Sequence, residues 1–119
     1  MTEGKGRCLC GSVRITAKNM KNEVDACHCG MCRKWGGGPL MVVDCGTDVV
    51  FEGEENITVF NSSDWAERGF CKKCGSHLFY RLKQINDHQI PVGLFDEQKD
   101  FYFKLQVYTD HKPAFYDFS

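Results

Sequence analysis

Apolar and polar residues alternate with a period of two along much of this chain. Val13 and Ile15 stand against Arg14 and Thr16, and Phe101, Phe103, Leu105 and Val107 against Tyr102, Lys104, Gln106 and Tyr108, which is the pattern of strands with one buried face. Shorter runs at Leu40 to Asp44, Val49 to Glu52, Ile57 to Asn61, His77 to Leu82 and Gln89 to Phe95 lie between clusters of Gly, Asn, Asp and Ser, and they predict further strands. Pro91 has no backbone N–H, so its strand is expected at an edge or a bulge. A 3.6-residue apolar period nowhere lasts three turns, and the best helical candidate is a single turn around Gly30 to Trp35. The chain therefore reads as mainly β with minor helix. Phe101, Phe103 and the Phe115–Tyr116 pair are expected in the core, with the aromatic C-terminus also able to wall a pocket.

Length and charge narrow this further. A chain of 119 residues, 42% apolar and 13% aromatic, fits one domain over residues 1–119. The 15 Lys and Arg against 16 Asp and Glu leave a net charge of -1, which removes the single-sign field that nucleic acid or an acidic membrane would require. No apolar run approaches membrane-spanning length and MTEGKGRCLC holds none of signal-peptide length. The expectation is a soluble cytoplasmic protein that binds neither nucleic acid nor membrane, its thiols kept reduced.

Eight cysteines change the picture, because seven of them fall into three tight groups: Cys8-x-Cys10, Cys27-x-Cys29-x-x-Cys32 and Cys71-x-x-Cys74. In a reduced compartment such spacings point to metal or catalysis before disulfides. A C-x-x-C turn turns both sulfurs to one ion, and Gly75 suits the sharp bend after it; in Cys8-Leu9-Cys10 the two sulfurs share one face of an extended segment. Joining the two pairs gives Cys8, Cys10, Cys71 and Cys74 as a closed four-thiolate site. Cys27, Cys29 and Cys32 then remain for a second zinc with an open fourth position, as catalytic zinc requires. Other partitions are open. A zinc ribbon of Cys29, Cys32, Cys71 and Cys74 would have 38 residues between its halves, against about 15 to 20 as usual. A redox pair at Cys29 and Cys32 lacks a surrounding βαβ pattern, and an iron–sulfur spacing meets Trp35 where it needs a third cysteine. Cys45 ends an apolar run and reads as a buried small hydrophobe, or else as a fourth ligand or resolving thiol.

Arg33 and Lys34 follow the three-cysteine group and are candidates to hold a substrate carboxylate or to offset the thiolate charge. Trp35 and the Gly36-Gly37-Gly38 run are candidate substrate contacts, the glycines as an anion nest or as a plain turn. His28, between two ligands, is the candidate proton-transfer residue, its ring expected to point away from them. His77, His88 and His111 read as structural.

The order CLCGSV, CHCGMCRKWGGGP, a strand-rich middle, RGFCKKCGSHLFY and a closing KPAFYDF resembles the glutathione-dependent formaldehyde-activating enzyme family, which includes centromere protein V-like proteins. The resemblance implies a β-tent fold of short antiparallel sheets, a structural zinc on Cys8, Cys10, Cys71 and Cys74 and a catalytic zinc on Cys27, Cys29 and Cys32, two per chain. It implies carbon–sulfur bond chemistry joining formaldehyde to glutathione as S-hydroxymethylglutathione. The expected function is thus a zinc-dependent carbon–sulfur lyase whose partner is a small-molecule thiol or thiol adduct. The competing expectation is a zinc-scaffolded module that binds protein without catalysis.

Overall fold

The computed structural model describes residues 2–118. Ten strands and one helix follow in the order β1 (Thr2–Arg7), β2 (Arg14–Met20), β3 (Glu23–Cys27), α1 (Gly30–Gly36), β4 (Leu40–Gly46), β5 (Val49–Glu52), β6 (Ile57–Phe60), β7 (Ala66–Cys71), β8 (His77–Leu82), β9 (Asp87–Pro91) and β10 (Tyr102–Val107). Single 3-10 turns stand at Glu54–Asn56, Val92–Leu94 and Thr109–His111. The mainly β reading holds.

The strands form a three-stranded sheet, β1-β2-β5, and a seven-stranded one, β10-β3-β4-β9-β8-β7-β6. Alternation along each strand gives the larger sheet two unlike faces. Val24, Val43 and Ile90 stand opposite one another across β3, β4 and β9, and this face packs under β2, where Ile15, Ala17 and Met20 point inward. Between the sheets lies the core, completed by Val13, Leu78, Phe79 and Phe95. Ile15, Leu78 and Ile90 are fully buried, each stabilising the fold by about 1.5 to 3 kcal/mol. Gly69 in β7 is required by this packing, because a Cβ there would come within 2.3 Å of the Phe79 ring. The opposite face carries Cys27, Asp25, Leu40, Val42, Gln89, Tyr80 and Arg68 in adjoining registers. It is the floor of the site described below.

The pairings are antiparallel except that β10 runs parallel to β3, which it meets at the sheet edge. Two expectations need correction. The alternation of β10 does not bury one face. The register slips between Phe103 and Leu105, and an outermost strand held chiefly by β3 leaves both side chains exposed. Phe101 packs against Phe95 with ring centroids 5.7 Å apart, whereas Phe115 is 82% exposed. Pro91 is not on an edge strand, because β9 lies between β4 and β8. It closes that strand beyond the last β8 partner, Gln89, where no N–H is asked of it on that side.

The helical turn predicted at Gly30 to Trp35 extends one residue further. The Cys29 sulfur caps its start by accepting from the Cys32 amide at 3.4 Å. Gly37 ends it with φ +83 and an N–H to the Arg33 carbonyl at 2.8 Å, the left-handed C-terminal stop that glycine favours. Among the described residues no helix is long and apolar enough to cross a membrane.

Candidate functional site

Two cysteine groups converge as the spacing suggests. The sulfurs of Cys8, Cys10, Cys71 and Cys74 all lie within 4.8 Å of one another, as do those of Cys27, Cys29 and Cys32. Four thiolates about 2.3 Å from a tetrahedral ion stand about 3.8 Å apart. The Cys8–Cys10 and Cys10–Cys71 sulfur distances are 3.7 and 3.8 Å, so two of the pairs in the first group already stand at that spacing.

The first group joins the β1–β2 turn to the β7–β8 turn. Gly11 and Gly75, at φ +81 and +77, bend each turn back over its sulfurs, a conformation that costs other residues about 1 kcal/mol or more. Ser76 links the turns by accepting from the Leu9 amide at 3.0 Å while its hydroxyl meets the Cys74 sulfur at 3.2 Å. That hydroxyl is the leading cause that holds the Cys74 thiol down at about 5, and Ser12 lowers Cys10 in the same way. Hydroxyl donors thus favour thiolates here before any cation is considered.

In the second group Cys27 ends β3, Cys29 caps α1 and Cys32 lies on its first turn. A hydrogen bond from Cys32 lowers the Cys27 thiol, while the same bond and burial raise Cys32. Against Cys32 stands Arg68 of β7, only 4% exposed. Its two terminal nitrogens donate to the Cys32 sulfur at 3.7 and 3.6 Å. The guanidinium lies 5.0 Å from the Trp35 ring centroid and 4.8 Å from that of Tyr80, and Trp35 stacks in turn on His77 with centroids 3.8 Å apart. Three thiolates on a divalent ion carry a formal charge of -1, and Arg68 is the buried cation that offsets it.

The three-cysteine group opens onto a cleft of about 620 Å³ over the outer face of the large sheet. Cys27, Cys29 and Cys32 form one wall, and Asp25, Val42, Tyr80, Leu82 and Gln89 contribute to the floor. Burial raises the Asp25 carboxyl above its ordinary value, with Glu23 adding to the effect. Of the four-cysteine group, Cys8 borders a more open surface depression of about 460 Å³.

The other predicted residues fall outside this cleft. His28 is fully buried; its Nε2–H goes to the Gln106 Oε1 at 2.9 Å and its Nδ1 takes the Tyr116 hydroxyl at 2.8 Å. Its ring points away from the sulfurs as expected, but both nitrogens are occupied. Arg33 donates from Nε to the His28 carbonyl at 2.9 Å, and Lys34 is exposed. Neither lines the cleft, nor do Trp35, Gly36, Gly37 and Gly38. Cys45 is buried, donates to the Val43 carbonyl at 3.5 Å, and belongs to neither sulfur group; burial pushes its thiol up to about 12. It is a core residue.

This geometry has relatives. A family model described as glutathione-dependent formaldehyde-activating enzyme matches residues 3–111. The chain belongs to this family. Among curated proteins, a relative of Schizosaccharomyces pombe, described as an uncharacterized lyase, is 35% identical over 120 residues, covering 100% of this chain and 88% of that protein. One of Phaeosphaeria nodorum, named "Putative glutathione-dependent formaldehyde-activating enzyme", is 35% identical over 91 residues, 71% of this chain but 46% of the relative. A crystal structure of a Rhodobacter sphaeroides protein shares the fold with a TM-score of 0.71 at 22% identity, over 86% of this chain and 98% of that one.

For a formaldehyde-activating family member, the residue that spacing alone does not find is Arg68. The motif RGFCKKC contains it, yet its partner Cys32 is 36 positions away. The only local signal is an arginine beside buried Gly69 within a mostly buried strand, Ala66–Cys71.

Proposed function

We propose that the cleft is the active site of a zinc-dependent carbon–sulfur lyase that makes and breaks adducts between a thiol and a small carbonyl compound such as formaldehyde. Cys27, Cys29 and Cys32 would hold the catalytic zinc, and Cys8, Cys10, Cys71 and Cys74 a structural one. The observation that carries this reading is that three cysteines, with no fourth cysteine among the lining residues, open onto a cleft of about 620 Å³, whereas of the four-cysteine group only the buried Cys8 borders a surface depression. When bound there, zinc supplies affinity for sulfur and lowers the basicity of a thiolate.

In the cleavage direction the adduct RS–CH2–OH loses its hydroxyl proton, the carbon–oxygen bond becomes a carbonyl, and the carbon–sulfur pair leaves with sulfur, which takes up a proton to give RSH. The chain's residues prepare that exchange. Arg68 fixes the Cys32 sulfur, and α1 fixes it relative to Cys29. Asp25 offers the carboxylate that can accept the hydroxyl hydrogen. Trp65 and Tyr80 line the cleft on the side of β7 and β8. His28 and Arg33 act as positioning residues: one ties the ligand segment to Gln106 and Tyr116, the other closes the turn between β3 and α1.

The test is to load reduced protein with zinc, measure the metal content, and follow adduct formation from formaldehyde and a panel of thiols by proton NMR. Two zincs per chain and a rate above the spontaneous one, lost in Cys29→Ser, are expected. One zinc per chain, or rates equal to the uncatalysed ones throughout, would leave the protein-binding module as the better account.

A further inference from the structure

The cleft walls carry more information than the sulfurs about which thiol enters, and this inference rests on the lyase reading above. Its floor carries three aliphatic side chains, Leu40, Val42 and Leu82, and the Tyr80 ring beside the polar Asp25 and Gln89. Around the mouth stand three exposed apolar side chains from three separate segments: Met31 of α1, Trp65 before β7 and Tyr108 after β10. Trp65 and Tyr108 are 60% and 58% exposed. Large apolar side chains left in water around a concavity mark a binding rim more often than a bare surface. Tyr108 is also held at φ +54, a left-handed conformation that costs a non-glycine residue about 1 kcal/mol or more.

Charge points the same way. Arg68 is the sole Lys or Arg among the lining residues, and it is committed: the Cys32 sulfur holds its nitrogens and two rings flank it. His111 at the rim already faces Asp110 at 3.8 Å. Arg33 is turned to the His28 carbonyl, and Lys34 lies outside. The cleft instead presents a carboxyl, that of Asp25. A peptide thiol with two carboxylates, such as glutathione, would find no free guanidinium or ammonium there and would meet an acid.

We propose that this cleft selects a thiol adduct with an apolar or aromatic body and no carboxylate, in preference to glutathione. The body lies between Trp65 and Tyr108 over Leu40, Val42 and Leu82, and the sulfur faces Cys27, Cys29 and Cys32. Trp65 is the specificity-determining residue.

Titration calorimetry on the zinc-loaded protein tests this with three probes: phenylmethanethiol, 4-(mercaptomethyl)benzoic acid and glutathione. The first two differ by one carboxylate on the same body, so they separate charge from shape. Phenylmethanethiol should bind at least about tenfold tighter than glutathione, as burial of one aromatic ring allows, and the benzoic acid should be weaker than its parent. Trp65→Ala, at an exposed position, should lose about fivefold or more for phenylmethanethiol and less for glutathione, so that the ratio between the two falls; Tyr108→Ala is the second variant should the first fold poorly. Glutathione binding as tightly as phenylmethanethiol, or a carboxylate that strengthens binding, overturns the inference. Failure of the lyase reading looks different: phenylmethanethiol binds selectively but no thiol gains an accelerated reaction with formaldehyde. Acceleration that is greatest with glutathione sinks the selectivity and leaves the lyase standing, and absence of binding by every thiol overturns both.

Discussion

Arg68 is a cation whose surroundings are all supplied by side chains distant in sequence. Trp35 and Tyr80 flank the guanidinium, and Cys32 accepts from both of its ends. Groups that hydrogen-bond a metal ligand typically contribute a factor of about 10 to 100 in metal affinity. Arg68→Met should therefore release the metal of the three-cysteine site about 10 to 100 times more readily to a chromophoric chelator, with the four-cysteine site unaffected. Arg68→Lys should fall between, because an ammonium restores charge but not the two-pronged donor. Equal release from all three proteins would show that Arg68 only fills space. The cysteines were legible because each ligand turn is local: two or three residues of spacing determine whether sulfurs share a face. Arg68 and the partners of His28 were not, since Gln106 and Tyr116 reach that ring from 78 and 88 positions away. A pattern read along the chain has no means of registering that distance.

At the scale of elements, β4 and β9 bring two carboxyls together on the outer sheet face. Burial, and then the neighbouring Asp87, raise Asp44 from 3.8 to about 6. The folded chain thus holds that proton more tightly than the unfolded one, so the associated stability is complete below about pH 4 and is lost as pH rises through about 6. Asp44→Asn removes the loss while its side-chain oxygen can still accept from the Gly46 amide, as Asp44 does at 3.0 Å. It should stabilise the protein by about 1 kcal/mol at pH 7.5, partial exposure having reduced the effect, and by less at pH 5, as read from urea midpoints. A gain that is equal at both pH values would show that the carboxyl pair is not its source. Strand runs such as Leu40 to Asp44 and His77 to Leu82 were readable because they lie in the sheet interior between turn residues, where neighbours on opposite faces are both covered, as Val42 and Val43 are in β4 and Leu78 and Phe79 in β8. β10 misled for the opposite reason. At an edge, beside a register slip, alternating Phe103 and Leu105 meet no core to select their side.

Across the whole molecule, the two sulfur groups differ in how much chain they enclose. Cys8 and Cys74 tie together segments 66 positions apart, while Cys27 and Cys32 close only one short turn. Cys74→Ser should therefore unfold the protein or leave it aggregated, whereas Cys32→Ser should lose one metal and keep a cooperative melt. A wild-type melt in Cys74→Ser would refute the four-sulfur assignment, and loss of the fold in Cys32→Ser would refute a separate local site.

The same asymmetry has a bearing on the unfolded chain. Three sulfurs within six residues remain near neighbours when the rest of the protein has come apart, so a metal ion can stay with them. An ion that binds native and denatured chain nearly alike shifts the balance between them very little. The split site has no counterpart in the denatured chain, and its occupancy is therefore felt almost entirely as stability. On the proposed assignment of the two sites, thermal denaturation followed against metal concentration reads one, and turnover reads the other. A preparation half-loaded with metal would then melt like the complete protein and still be inactive.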